Sequence, residues 1–139
     1  MLLVAHRGEG TRPPRALPRR LPLPCGAVTA VPFQKLSIFF PMWNEEAYIE
    51  RAVGYAKAEC ELLVERGEIL DYELIIVDDA STDATPQMAD AMAAADSHVR
   101  VVHHPVNRKL GGSMKTGFAA ATGDLVLYSD ADLPWDMAE

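Results

Sequence analysis

Cysteine is scarce: Cys25 and Cys60 are the only two in 139 residues. Two cannot build a disulfide framework, so stability has to come from a hydrophobic core. Cys60 falls on an apolar helical stripe and reads as a buried, reduced thiol, which points to a cytosolic compartment. No run of about 18 apolar residues exists, so no stretch of this sequence spans a bilayer as a helix. Basic residues are sparse after the first quarter. Residues 36–139 hold seven Lys/Arg against nineteen Asp/Glu, whereas residues 1–35 hold six against one. An acidic folded part excludes nonspecific nucleic-acid binding, which needs basic surface. Two phosphate-binding devices are also missing. No G-x-G-x-x-G follows the first apolar run, which argues against a dinucleotide crevice. The stretch GGSMKTG (111–117) has a Lys-Thr pair, but Met114 stands where a Walker loop places Gly.

What is present suffices for one domain with one sizeable core: 49% of residues are apolar. The opening TRPPRALPRRLPLPC (11–25) has neither a period of 2 nor one of 3.6, and six of the ten prolines lie before residue 33. Proline every few residues prevents the amphipathic helix of a transit-like leader. Residues 1–35 are therefore expected to be a disordered extension or an upstream start, with the folded domain at 36–139.

From Leu36 a regular alternation begins. LSIFF (36–40), YELIIVDD (72–79), VRVVHH (99–104) and DLVLYSD (124–130) read as strands. Between them, Ile49, Val53, Ala56, Cys60 and Leu63 draw one helical stripe, with Asn44 as the expected cap, Glu45 and Glu46 in the first turn and Gly67 as the stop. Thr85-Pro86 reads as an N-cap followed by Pro at the first helical position of an Ala- and Met-rich second helix. A third helix is expected from about Gly112 to Ala121. The order β-α-β-α-β-α-β with continuous apolar strands implies an α/β fold: a mostly parallel open sheet with helices on both faces.

In such a sheet every strand leaves at one edge, and ligands of open α/β sheets bind outside it. The four exits read PMWNEE, DDAST, HHPVN and SDAD. Aspartate pairs at two of them exceed what a solvated loop requires. Asp130 and Asp132 are two apart on an extended segment and point the same way. Two such charges at about 4 Å repel by roughly 4 kcal/mol at an effective dielectric near 20. Oxygen-only ligands suit a hard divalent cation, Mg²⁺ or Mn²⁺, that also bridges substrate phosphates. His103 and His104 are adjacent on a strand, so their rings face opposite sides and do not share one metal; packing or surface roles are expected of them, with one of the two near the site as the alternative.

SIFFPMWNEE, IIVDDASTDAT, NRKLGGSMKTGFAAATGD and LVLYSDADLP, in this order and spacing, resemble the motifs of family 2 glycosyltransferases, with the dolichyl- or polyprenyl-phosphate sugar transferases as the most similar branch. The resemblance covers about residues 36–136. It implies the nucleotide-diphospho-sugar-binding half of a GT-A fold and inverting transfer of a sugar from a nucleotide-diphosphate donor to an acceptor such as a polyprenyl phosphate. It implies that Pro41, Trp43 and Glu45 line the base and ribose pocket, Trp43 being a flat surface with ordinary core packing as its alternative. Asp78 and Asp79 would bond the base or ribose; neighbouring strand residues face opposite sides, so one of the two holds the loop instead, and Asp79 is the favoured contact. Gly111 and Gly112 would admit the donor to the backbone, or simply form a tight loop. Asp130 would meet the donor diphosphate, and Asp130 and Asp132 would hold Mg²⁺ or Mn²⁺. Ser81 and Asp83 would shape the turn.

Family catalytic domains continue past the D-x-D, whereas this sequence stops at Glu139. That leads to the expectation of a donor-binding part, truncated after its fourth strand, whose exposed edge favours self-association and marginal stability. The base and sugar of the donor, the acceptor and any general base stay open at this point, as do two rival readings: a non-catalytic nucleotide- or metal-binding module, and an inactive fragment.

Overall fold

The computed structural model describes residues 32–131, together with the backbone pairing of Ala5–His6. In chain order the elements are β1 (Ala5–His6), β2 (Phe33–Met42), α1 (Ile49–Glu65), β3 (Ile69–Asp78), α2 (Thr85–Ala95), β4 (Val99–His103), α3 (Lys109–Ala120) and β5 (Leu125–Tyr128). They form one five-stranded sheet in the order β1-β5-β2-β3-β4. β2, β3, β4 and β5 run parallel, and only β1 is antiparallel, set against Leu125 and Val126 of β5. The expected α/β architecture is present.

Alternate residues of the central strands feed two cores. Leu36, Ile38, Phe40, Met42, Leu74 and Ile76 face α1 and α2, where they meet Ile49, Val53, Ala56, Cys60 and Ala89. Phe39, Ile75, Val77 and Val126 face α3, against Met114, Phe118 and Ala121. The α1 stripe read from the sequence is the buried one, and Gly67 (φ 70°) closes that helix, its N–H donating to the Val64 carbonyl. On the other face α3 lies so close to the sheet that a Cβ on Gly117 would sit 2.1 Å from the Phe39 ring.

Several expected boundaries shift. β2 begins at Phe33, ahead of the strand start expected at Leu36, because its first residues pair in register with Ile69 and Asp71. Asn44 does not cap α1. That helix starts at Ile49 with Tyr48 at the cap position and no side-chain cap, while Asn44 adopts φ 58° and turns to the β3–α2 loop. α2 starts at Thr85 itself, one residue before the expected start, and Asp83 accepts its N–H at 2.9 Å. α3 starts at Lys109, so Gly111 and Gly112 lie in its first turn rather than in a loop. The edge expected along β5 is partly covered, since Ala5 and His6 pair with Val126 and Leu125. Residues 7–31 lie outside the described residues, as do Asp132 and the seven that follow it.

Candidate active site at the carboxyl edge of the sheet

The chain moves outward from β2 to β3 and β4 by way of α1 and α2 on one face. α3 then carries it back across the opposite face to β5, on the other side of β2. The direction of winding therefore reverses between β2 and β5, and an open α/β sheet leaves a crevice at such a switch point. Pro41 marks it. Phe39 accepts the Ser129 N–H, so the odd-numbered residues of β2 turn their backbone groups toward β5. Pairing with β5 ends at Phe39↔Tyr128, so the N–H that Pro41 lacks would have pointed where no strand partner remains. Asp130 leaves β5 at this height and is exposed. The β3 exit lies two strands away, about 10 Å at the usual strand spacing.

The β2 and β3 exits are laced together. Asn44 N–H donates to Ser81 Oγ (3.0 Å), and Asn44 Oδ1 accepts the Thr82 N–H (2.8 Å). Glu45 N–H donates to Thr85 Oγ1 (2.8 Å), Glu46 N–H to Asp83 Oδ2 (3.1 Å), and Glu46 Oε2 accepts the Ala84 N–H (2.9 Å). Ser81 and Asp83 thus shape the turn, as the sequence suggests. Trp43 is 55% exposed on this laced loop and is not a core residue. Glu45 is half-buried beside it. Three non-glycine residues among those described have positive φ: Asn44 (58°), Ala80 (59°) and Lys109 (62°). All three follow strand exits at this edge. Left-handed backbone costs a residue with a Cβ about 1–2 kcal/mol, and such strain collects at functional edges.

Asp78 and Asp79 are each only 3% exposed. Asp78 Oδ1 accepts the Ser81 N–H at 3.0 Å, and Oδ2 meets His103 Nδ1 at 2.8 Å. Asp79 Oδ1 accepts the Arg108 N–H at 2.7 Å and meets His104 Nδ1 at 2.7 Å. The two carboxylates face opposite sides of the sheet, as expected of neighbours on a strand, yet each of them holds a loop. Burial pushes the Asp79 carboxyl up, but the His104 hydrogen bond and the Arg108 and Lys109 N–H groups outweigh it and leave the group ionised below its usual range. His103 is held between Asp78 and Asp90 (Nε2 to Oδ1, 3.1 Å), and these two bonds raise its pKa. Sequence reasoning placed at most one of the histidines near the site and missed the pairing. The only available signal was that DD ends β3 and HH ends the strand after it.

Gly112 belongs to this edge through packing: a Cβ there would lie 2.3 Å from Cβ of Arg108. Gly111 has open space and is exposed. The structure therefore brings Pro41, Trp43, Glu45, Asp78, Asp79, Gly111, Gly112 and Asp130 to one edge. Among the described residues no group of three or more His, Cys, Asp or Glu could hold a metal ion; Asp130 is exposed where the chain leaves β5.

Comparison with known proteins fits this geometry. The family model described as "Glycosyl transferase family 2" matches residues 37–138. The chain is 33% identical over 103 residues to "Glycosyltransferase AglD" of Haloferax volcanii, covering 74% of this chain and 16% of that protein. It is 36% identical over 102 residues to "Undecaprenyl-phosphate 4-deoxy-4-formamido-L-arabinose transferase" of Enterobacter sp. (strain 638), covering 71% and 29%. Among solved structures it resembles the mannosyltransferase PcManGT from Pyrobaculum calidifontis in complex with GDP-Man and Mn²⁺, with a TM-score of 0.57, 27% identity and coverage of 70% and 27%. S. aureus TarS 1-349 in complex with UDP is similar at a TM-score of 0.56 and 25% identity, covering 71% and 28%. The chain thus spans less than a third of the length of these relatives. The parallel sheet with its reversed winding shares its fold with part of these transferases, and the chain belongs to glycosyl transferase family 2.

Proposed function

We propose that this chain is the donor-binding part of a glycosyltransferase that takes a sugar from a nucleotide-diphosphate sugar, with a polyprenyl phosphate as acceptor. The observation that carries the reading is the topological switch point between β2 and β5, where Pro41 and Trp43 stand at the end of one strand and Asp130 follows the other. The separation of about 10 Å between the β3 exit and Asp130 suits an extended nucleoside diphosphate with its base toward Asp79 and its phosphates toward Asp130. The exposed indole of Trp43 offers a stacking face for the base.

Mg²⁺ or Mn²⁺ fits the donor chemistry of the mouth: Asp130 supplies oxygen, and such ions bind through one or two carboxylates plus substrate phosphates. In this reading Asp130 and Asp132 hold the ion. Bound there, it would neutralise the negative charge that grows on the departing nucleoside diphosphate. The residues of the chain do the rest. The laced β2 and β3 exits orient the base and ribose, and Gly111 gives α3 a first turn without a side chain at the edge. A lipid-phosphate acceptor is already an anion and asks little of a protein base.

The direct test is a thermal-shift panel of GDP-mannose and UDP-GlcNAc, with and without Mn²⁺, repeated in Asp130→Ala and Asp132→Ala. Ligand at 100 times its dissociation constant stabilises by about 2.7 kcal/mol. Stabilisation that needs Mn²⁺ and disappears in the alanine variants supports the reading. Equal stabilisation in both variants removes the two aspartates from the site. Binding without any sugar transfer by a full-length relative carrying this segment favours a non-catalytic nucleotide-binding module.

A further inference from the structure

The sequences DD and HH end adjacent strands, and the fold pairs them one to one on opposite faces of the sheet. The two pairs are not equivalent. His103 is 40% exposed and reaches Asp90 on the surface of α2. The His104 side chain is 3% exposed, and its second nitrogen lies 2.8 Å from Thr116 Oγ1 on α3. An ionised carboxylate only accepts, so Nδ1 of His104 carries a proton toward Asp79. The Thr116 hydroxyl, able to donate or accept, completes the bond at Nε2. The result is a buried chain, Thr116 to His104 to Asp79, that joins the second turn of α3 to the exit of β3. The backbone closes the same knot: His104 N–H donates to the Asp78 carbonyl, and Arg108 N–H shares the Asp79 oxygen that His104 uses.

We propose that His104 is a positioning residue for donor binding. It fixes the Asp79 carboxylate and locks the β4–α3 loop and the N-terminal turn of α3 to it, so that both present one preformed edge to the nucleotide. This rests on the donor-site reading above. An apolar side chain would fill a buried slot at lower desolvation cost. A fully satisfied polar chain instead specifies one arrangement of its members, and here those members lie on the two elements that flank the donor. No other buried histidine among the described residues links two elements in this way.

The test separates positioning from packing, because asparagine and glutamine each replace one end of an imidazole. His104→Asn keeps an amide N–H in place of Nδ1 and so keeps the Asp79 contact. His104→Gln puts its amide where Nε2 was and loses that contact. Binding of GDP-mannose and UDP-GlcNAc with Mn²⁺ to the full 139-residue chain is measured by calorimetry alongside thermal melts. The Asn variant should bind within about threefold of the parent, and the Gln variant about tenfold more weakly, the loss expected for one hydrogen bond to a charged group. Their melting temperatures should stay within a few degrees of each other. Equal affinity in both variants, or an affinity loss that tracks the melting temperature in both, overturns the proposal. If neither variant folds, Thr116→Val decides: affinity reduced severalfold at an unchanged melting temperature supports positioning, and unchanged affinity overturns it. A parent chain that binds neither nucleotide sugar defeats the donor-site reading and this inference together. A parent that binds normally, with His104 variants that do so too, defeats this inference alone.

Discussion

Glu73 is the place where stability and the placement of the site meet. It is 2% exposed in the first half of β3, at the edge of the sheet away from the crevice. Its Oε1 accepts from Ser37 Oγ (2.7 Å), Thr122 N–H (2.7 Å) and Thr122 Oγ1 (2.8 Å). Its Oε2 meets Arg100 Nη1 at 2.6 Å, with Lys35 Nζ at 3.7 Å. Ser37 Oγ in turn accepts the Gly123 N–H at 2.8 Å. This clamp seizes the turn that feeds β5, and β5 carries Asp130 to the crevice. Burial pushes the Glu73 carboxyl up, but the hydrogen bonds from Ser37, Thr122 and Arg100 overcome it and hold the group at about 2. At about 1.36 kcal/mol per pH unit, the move from the ordinary value of 4.5 to about 2 is worth about 3 kcal/mol at neutral pH. Half-exposed Arg100 makes that an upper figure. In Glu73→Gln the volume stays, but the charge goes and an amide N–H₂ is set against Arg100. The expected loss is about 2–3 kcal/mol at pH 7, or on the order of 10 °C in melting temperature for a domain of this size. The sign with pH follows from a depressed carboxyl. Its contribution is complete above the unfolded value of 4.5 and is lost as pH falls through about 2. Urea denaturation of parent and variant at steps from pH 7 to 2.5 should therefore show the gap between them closing as the medium becomes acidic. A gap that stays constant across that range, or one below 0.5 kcal/mol at pH 7, refutes the assignment of a working charge to Glu73.

Four further outcomes are expected. Lys109→Gly relieves the positive φ at the start of α3 and should stabilise the fold by about 1 kcal/mol, read as a rise of several degrees in melting temperature. Gly117→Ala drives a methyl into the Phe39 ring and should cost about 1–3 kcal/mol in a urea titration. The raised pKa of His103 gives the opposite pH sign to Glu73: its contribution is complete below about 6.5 and is lost as pH rises through the raised folded value. His103→Gln should accordingly flatten the stability profile just above pH 6.5. Burial pushes the Cys60 thiol up to about 12, so in a Cys25→Ser background Cys60 should resist a thiol reagent at pH 8 and react at once in urea.

Local pattern made much of this protein legible. A run of alternating strands and helices is written in apolar periodicity, and the stripe Ile49, Val53, Ala56 and Cys60 lies buried where the 3.6-residue repeat puts it. The stop at Gly67 and the role of Asp83 at the start of α2 follow from the same short-range chemistry, whereas the Ser81 hydroxyl accepts from Asn44, 37 positions away. Caps were less legible. Asn44 has every property of an N-cap, and nothing local says that its carbonyl oxygen is claimed by Thr82, 38 residues on. The first turn of α3 was hidden by its two glycines, which score as loop and yet lie in a helix whose first turn rests against Arg108.

By itself the sequence determined the four parallel strands, which edge they leave by and that acid collects there, because periodicity and strand direction are properties of neighbouring residues; it did not show the pairing of Ala5–His6 with β5. Only the tertiary structure decided that β5 lies beside β2, which opens the crevice at Pro41 and Asp130. It also decided which aspartate meets which histidine and that Glu73 is sealed beneath Ser37 and Thr122. Those are pairings between residues 25 to 49 positions apart. Lateral strand order and the two-sided packing of helices create them, and no window along the chain contains both partners.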